Sequence, residues 1–186
     1  MLELLAQYIL PQYQEPQRPH KPFARHTLRL EESAPQAMCR LVLLETQRRA
    51  LVYKFDKGSG PNHPQSIHQR KLPFMVAMPG VEQMCDFVIF LDDGPHRTYV
   101  VLANLKSTKA GNNENQLRAG ELFTDFITQT ILRCQNMHQD DHHFVFRRIL
   151  FMSSNIPKGR TKPSPLLHND HYVLSCGVPI NLDVYC

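Results

Sequence analysis

An acidic side chain inside an apolar strand is costly unless it is paired or holds a metal, and Asp86 stands in such a place, within the run CDFVIFL at Cys85–Leu91. After a turn at Asp92-Asp93-Gly94-Pro95, a second apolar run, YVVLANL at Tyr99–Leu105, leads into Lys106. Side chains of a strand repeat every second residue, so Asn104 and Lys106 share a face. If the two runs pair across the turn, Asp86, Asn104 and Lys106 converge at one end of a sheet. A carboxylate, an amide oxygen and an ammonium in one cleft suit phosphodiester chemistry. The carboxylate holds a hard divalent cation such as Mg2+ or Mn2+. The metal polarises a phosphate and lowers the pKa of a water, while the ammonium steadies charge or orients that water. The plain alternative is a salt bridge between Asp86 and Lys106 in a globular interaction domain.

Those residues need a sheet and something to cover it. Residues 2–10 read as a short helix ended by Pro11, and residues 11–24, with four prolines, as a linker or surface wrap. Arg40–Glu45 (RLVLLE) and Ala50–Phe55 (ALVYKF) are strand-like, and the polar Thr46–Arg49 between them suits a hairpin. Residues 56–73 are loop by composition. From Glu114 to about Arg133 the period changes: Leu117, Leu122, Phe123, Phe126, Ile127 and Ile131 fit a helical stripe. His143–Met152 (HFVFRRILFM) returns to strand, Ser153–Pro165 is a polar, basic loop, and Tyr172–Cys176 with Ile180–Tyr185 forms a closing strand or hairpin. The expected fold is α/β, a mixed central sheet flanked by helices. Residues 1–39 form an N-terminal helix and Pro-rich segment and residues 40–186 the core domain.

The stretches MCDFVIF, VLANLKS, ENQLRAGELFTDFI and FVFRRILF, in that order, resemble the PD-(D/E)xK nuclease superfamily, the restriction-endonuclease-like fold. The resemblance covers roughly residues 40–155 and is best over 84–128. It implies an αβββαβ core and Mg2+-dependent cleavage of nucleic acid, with Asp86 as the first acid and Lys106 as the motif lysine. Where the family has its second acid, this chain has Asn104, a neutral ligand that takes a formal charge out of the metal site. Three readings follow: a displaced acid compensates, the site is degenerate and only binds nucleic acid or a partner, or the chain carries an inactivating substitution.

Glu114 and Glu121 are the candidate displaced acids. At about 100° per residue, Glu114, Glu121 and Asp125 fall opposite the apolar stripe, so a regular helix points them to solvent. Gln116 instead lies at the N-terminal end of the buried face, where it either points towards the strand ends, as a functional glutamine does in some relatives of the superfamily, or is a hydrogen-bonded polar residue at the core edge. The run HQDDHH (His138–His143), His63, His68 and Glu45 are weaker candidates, read first as polar loop and sheet edge. Arg147, Arg148, Lys158, Arg160 and Lys162 fall in a stretch without acids between Asp141 and Asp170, and they are the expected phosphate contacts. Arg147 and Arg148 face opposite sides of their strand, so at most one can reach the cleft.

The remaining composition narrows the classes. The chain has 186 residues, 42% of them hydrophobic and 20% charged, which supports one packed domain. A net charge of +4 permits a polyanionic partner, DNA or RNA, without demanding one. A protein partner or a second copy of the chain is the other partner class. There is no run of about 18 apolar residues to span a membrane and no secretory leader pattern. Five cysteines without a CxxC spacing argue against a disulfide scaffold and for a reducing cytoplasm. Neither a nucleotide-binding GxxxxGK nor a supported Ser-His-Asp arrangement is present.

Overall fold

The computed structural model describes residues 1–17, 26–32, 37–55, 84–106, 113–153, 166–168 and 171–186. The described residues form a mixed α/β fold of two mixed sheets and two α-helices, with three short 3-10 turns. The strands are β1 (His26–Glu31), β2 (Leu41–Thr46), β3 (Ala50–Tyr53), β4 (Phe87–Asp92), β5 (Arg97–Lys106), β6 (His143–Met152), β7 (Leu166–His168), β8 (His171–Ser175) and β9 (Ile180–Asn181). The helices are α1 (Leu2–Tyr8) and α2 (Asn113–Cys134).

The larger sheet runs in the order β3-β4-β5-β6-β8-β7. Its β3–β4 and β4–β5 pairs are antiparallel, and β5–β6 and β6–β8 are parallel, with α2 as the crossover between β5 and β6. The near-continuous apolar runs of β4 and β5 have their cause here: the sheet is covered on both faces. On one face the smaller sheet, β1-β2-β9, packs Leu28, Leu30, Val42, Leu44 and Ile180 against Ile89, Val101, Ala103 and Phe151. On the other face α1 and α2 bring Leu2, Leu5, Leu117 and Ile131 onto Val88, Phe90, Val100 and Leu102. β1 and β2 alternate buried with exposed or half-buried residues because only one of their faces meets the core. Between β4 and β5, Gly94 takes φ 98°, a left-handed conformation that a glycine adopts without steric cost.

Several expectations need correction. β2 and β3 are not a hairpin: β2 pairs with β1 and β9, whereas β3 crosses to the larger sheet and pairs with β4. The strand β1 falls within residues 1–39, read above as a helix and Pro-rich segment, and its pairing with β2 is what reveals it. At the C-terminus β8 and β9 likewise enter different sheets instead of closing a hairpin. The stripe on α2 is also displaced, since Leu122 and Phe126 are each 68% exposed. The buried line runs through Leu117, Gly120, Thr124, Thr128 and Ile131. The Thr124 and Thr128 hydroxyls donate to backbone carbonyls of their own helix, at Gly120 and Asp125, which lets both residues pack as small surfaces. Aromatic bulk on the neighbouring positions drew the expected centre away from this small-residue seam.

Residues 11–17 do wrap the surface. Glu15 donates its N–H to the Val52 carbonyl and Lys54 donates to Tyr13, covering the outer edge of β3. Contacts cross residue 39: Leu2, Leu5 and Ile9 are buried in the α2-side core, and β1 pairs with β2 along its whole length.

Candidate functional site

The last backbone pair of β4 and β5 on this side is Phe87 with Ala103. One step further the ladder stops, and side chains take over its hydrogen bonds. The Asp86 N–H donates to Asn104 Oδ1 at 3.0 Å, and the Leu105 N–H donates to Asp86 Oδ2 at 2.7 Å. The two residues therefore lock the strand ends to each other. Asn104 Nδ2 in turn donates to Gln116 Oε1 at 3.3 Å, tying the first turns of α2 to β5. The Lys106 ammonium stands 3.7 Å from Asp86 Oδ1. Asp86, Asn104, Lys106 and Gln116, picked out by residue type and spacing, thus meet at one sheet end.

Their accessibility differs. Asn104 is fully buried, at 0% exposure, while the side chains of Asp86 and Lys106 are 13% and 26% exposed. The helix is held close at this point. A methyl group on Gly120 would run into the Cys85 sulfur and lie 3.1 Å from Cys85 Cβ, so α2 fixes the residue immediately before Asp86.

This donor set does not fit a Mg2+ ion. Mg2+ wants octahedral oxygen ligands, usually including one or two carboxylates. Among the described residues the cluster has a single carboxylate, one of whose oxygens accepts from Leu105. The Asn104 oxygen is sealed inside and accepts from Asp86, and the Gln116 oxygen accepts from Asn104. Among the described residues, no group of three or more His, Cys, Asp or Glu side chains is placed to hold a metal.

Comparison of the chain with protein-family models, curated proteins and solved structures finds no match. The site is therefore read from its own chemistry.

Glu114 is exposed on α2. Glu121 does not project to open solvent as its helical angle suggested, because the buried seam of α2 is shifted towards it; Arg148 Nε donates to Glu121 Oε2 at 2.6 Å. Arg147 and Arg148 do face opposite sides of β6. Arg148 faces α2, whereas Arg147 Nε donates to the Tyr185 carbonyl beside the smaller sheet. Glu45 lies on β2, in the other sheet. Lys158, Arg160, Lys162, His63 and His68 lie outside the described residues. Within HQDDHH, His138 and Asp141 cap a short 3-10 turn, and His142 is buried.

Sequence reasoning missed a second polar cluster at the opposite end of β5. Arg48 pairs with Asp93 at 3.1 Å and with Asp183 at 2.8 Å, and Asp93 also pairs with Arg97. The guanidinium carbons of Arg48, Arg97 and Arg147 lie 5.3, 5.5 and 5.6 Å from the centre of the Tyr99 ring. Its members come from four separate stretches of chain, so no local spacing signals it. His142 had a faint signal, a polar residue at the mouth of an apolar strand. Its Nε2 lies 2.9 Å from the Thr98 hydroxyl and its Nδ1 3.2 Å from the Pro95 carbonyl, and burial lowers its pKa from the usual 6.5.

Proposed function

We propose that the chain is a catalytically degenerate relative of the PD-(D/E)xK fold that binds nucleic acid without turning it over. The observation that carries this reading is Asn104. It occupies the acid position of the motif, buried, with its amide spent on Asp86 and Gln116, so it acts as a structural bridge in the place of a metal ligand. The element order supports the family likeness: β3, β4 and β5 pair antiparallel, α2 crosses over, and β6 returns parallel to β5. Lys106 is the partly exposed cation of the cluster, and the chain's charge of +4 favours a polyanion. Its contribution to binding is a phosphate contact that carries no sequence information. No helix among the described residues is long and apolar enough to cross a membrane.

The test is a pair of measurements on short DNA and RNA duplexes and single strands at low salt. Binding is expected, with log K falling linearly against log salt, and Lys106→Ala should reduce that slope by about 1. No cleavage is expected with Mg2+ or Mn2+, and failure of every nucleic acid to bind at low salt overturns the reading. A second reading, metal-dependent phosphodiester hydrolysis, rests on Asp86 Oδ1 and Lys106 Nζ facing one another at the sheet end. It requires cleavage that vanishes in Asp86→Ala and Lys106→Ala. Asn104→Glu distinguishes a lost activity from one never held, because it returns an acid to the position without moving the motif lysine.

A further inference from the structure

α2 turns its seam of Gly120, Thr124 and Thr128 towards the larger sheet, and at about 100° per residue Leu122 lies about 160° round from the middle of that seam. Leu122 and Phe126, each 68% exposed, stand one turn apart on this outer face. Arg118, also exposed, stands one turn before them. Asp125 is half-buried and lies about 20° from Arg118, on the same side of the stripe. Gln129 Nε2 donates to Asp125 Oδ1 at 3.3 Å, which holds the carboxylate on this face. Scattered exposed apolar side chains are ordinary, whereas adjoining ones rimmed by charge suit a protein contact.

The charges on this face select its partner. We propose that a second copy of this chain docks there, α2 against α2, antiparallel about a two-fold axis at the level of Leu122. Leu122 then meets the other copy's Leu122, and Arg118 comes level with the other copy's Phe126. A two-fold axis lying across both helices brings the same side of each stripe together. Arg118 therefore also comes within one residue, about 1.5 Å of rise, of the other copy's Asp125. Its guanidinium pairs with that carboxylate and lies against the Phe126 ring, and symmetry makes each contact twice. Glu121, further round the same side, is already held by Arg148. Moving the axis to Phe126 would set Asp125 beside the other copy's Asp125, a like-charge contact, so charge fixes the register as well as the partner. A single helix pair is a small interface, and the expected association is weak and reversible. It is independent of nucleic-acid binding.

The experiment is analytical ultracentrifugation of the full chain over a wide range of loading concentration, without nucleic acid. Reductant is present throughout, so that the exposed Cys134 cannot link two chains. The expected result is a sedimentation coefficient that moves from monomer to dimer as concentration rises. Leu122→Glu should remain monomeric over the same range with an unchanged Tm, because the side chain it replaces is exposed. Arg118→Glu and Asp125→Lys should each weaken self-association about tenfold, since each variant sets two like-charge pairs in place of two ion pairs. An equimolar mixture of those two variants should associate more tightly than either alone, because every pair between them is again of opposite sign. A native chain that stays monomeric at every concentration overturns the proposal. So does association that survives Leu122→Glu, or a mixture no tighter than its two components. The native concentration series and Leu122→Glu decide the matter even if a charge variant fails to fold.

Discussion

At the turn end of β5, around Tyr99, guanidinium and carboxylate groups meet at 2.8 and 3.1 Å, and three arginines surround one ring. At its other end, around Asn104, the Lys106–Asp86 ion pair stands at 3.7 Å, with amide and backbone hydrogen bonds beside it. The first cluster sets three guanidiniums against the carboxylates of Asp93 and Asp183, and each guanidinium is held by a carboxylate or a backbone carbonyl. Asp183 accepts from the Thr46 hydroxyl, the Gln47 N–H and Arg48, so it fastens the C-terminal turn to the end of β2. The second cluster is neutralised more loosely, with an ammonium still open to solvent. Guanidiniums held by short carboxylate and carbonyl contacts are structural devices, whereas an ammonium 3.7 Å from its carboxylate beside a stiff strand end retains capacity for a ligand.

Breaking the Tyr99 end should therefore cost the most stability. Asp183→Ala removes one acceptor from three donors at once and leaves Arg48 and the buried Thr46 hydroxyl short of a partner. The expected loss is about 2–3 kcal/mol, reduced from that of a fully buried pair because both charged side chains keep some solvent. Urea unfolding should show it as a lower midpoint with an unchanged slope. Nucleic-acid binding of the folded variant should be unaffected, since this cluster lies at the far end of β5.

The second effect falls between structure and site. Gly120→Ala drives a methyl into Cys85 and should cost about 1–3 kcal/mol, as overpacking of a tight core does. Cys85→Ala clears the space, so the double variant should be less destabilised than the sum of the two singles. If Gly120→Ala proves neutral, α2 is not pressed against the β4 entry, and the positioning of Asp86 by the helix is lost with it.

The unequal legibility of the two ends follows from the same contrast. Asp86, Asn104, Lys106 and Gln116 were visible because each is a polar residue breaking a periodic apolar pattern, and two of them share a strand face. The boundaries of β6 and α2 were visible for the same reason of period. The smaller sheet was not, because β2 and β3 are adjacent in sequence and only the tertiary fold sends them to different sheets. Nor was the seam of α2, where Gly120, Thr124 and Thr128 pack by being small, a property that hydrophobicity does not report. The Arg48 cluster joins residues from about 48 to 183, and pairing over such separations leaves no mark on local sequence.

A third substitution probes the loose end directly. Asn104→Asp keeps the size of the side chain, removes the donor to Gln116 and sets a second carboxylate beside Asp86. Without divalent cation the expected cost is about 1–2 kcal/mol, from the broken hydrogen bond and the like charge. A divalent cation offsets that repulsion, so millimolar Mn2+ should raise the Tm of the variant and leave that of the native chain unchanged. Equal responses in the two proteins would mean that position 104 does not decide metal binding.

The smallest effect is a pH slope at the Tyr99 end. The Pro95 carbonyl can only accept, so His142 Nδ1 carries the proton and Nε2 accepts from Thr98. Burial at 3% exposure is the main cause that holds the imidazole below its usual 6.5, with the N-terminal ammonium and His96 adding to it and the Pro95 carbonyl and Asp92 opposing it. Below pH 6.5 the unfolded chain then binds a proton that the folded chain resists. Stability contributed by this group is complete above pH 6.5, falls as the pH drops, and levels off once the folded pKa is passed. His142→Gln keeps a polar side chain without the titration, so its stability should decline less steeply between pH 6.5 and 5 than that of the native chain. The other nine of the ten histidines are common to both proteins, and the difference between the curves isolates this one. Parallel curves would show that Thr98 and Pro95 accommodate the imidazolium, and the turn end would then be as adaptable as the end that holds Lys106.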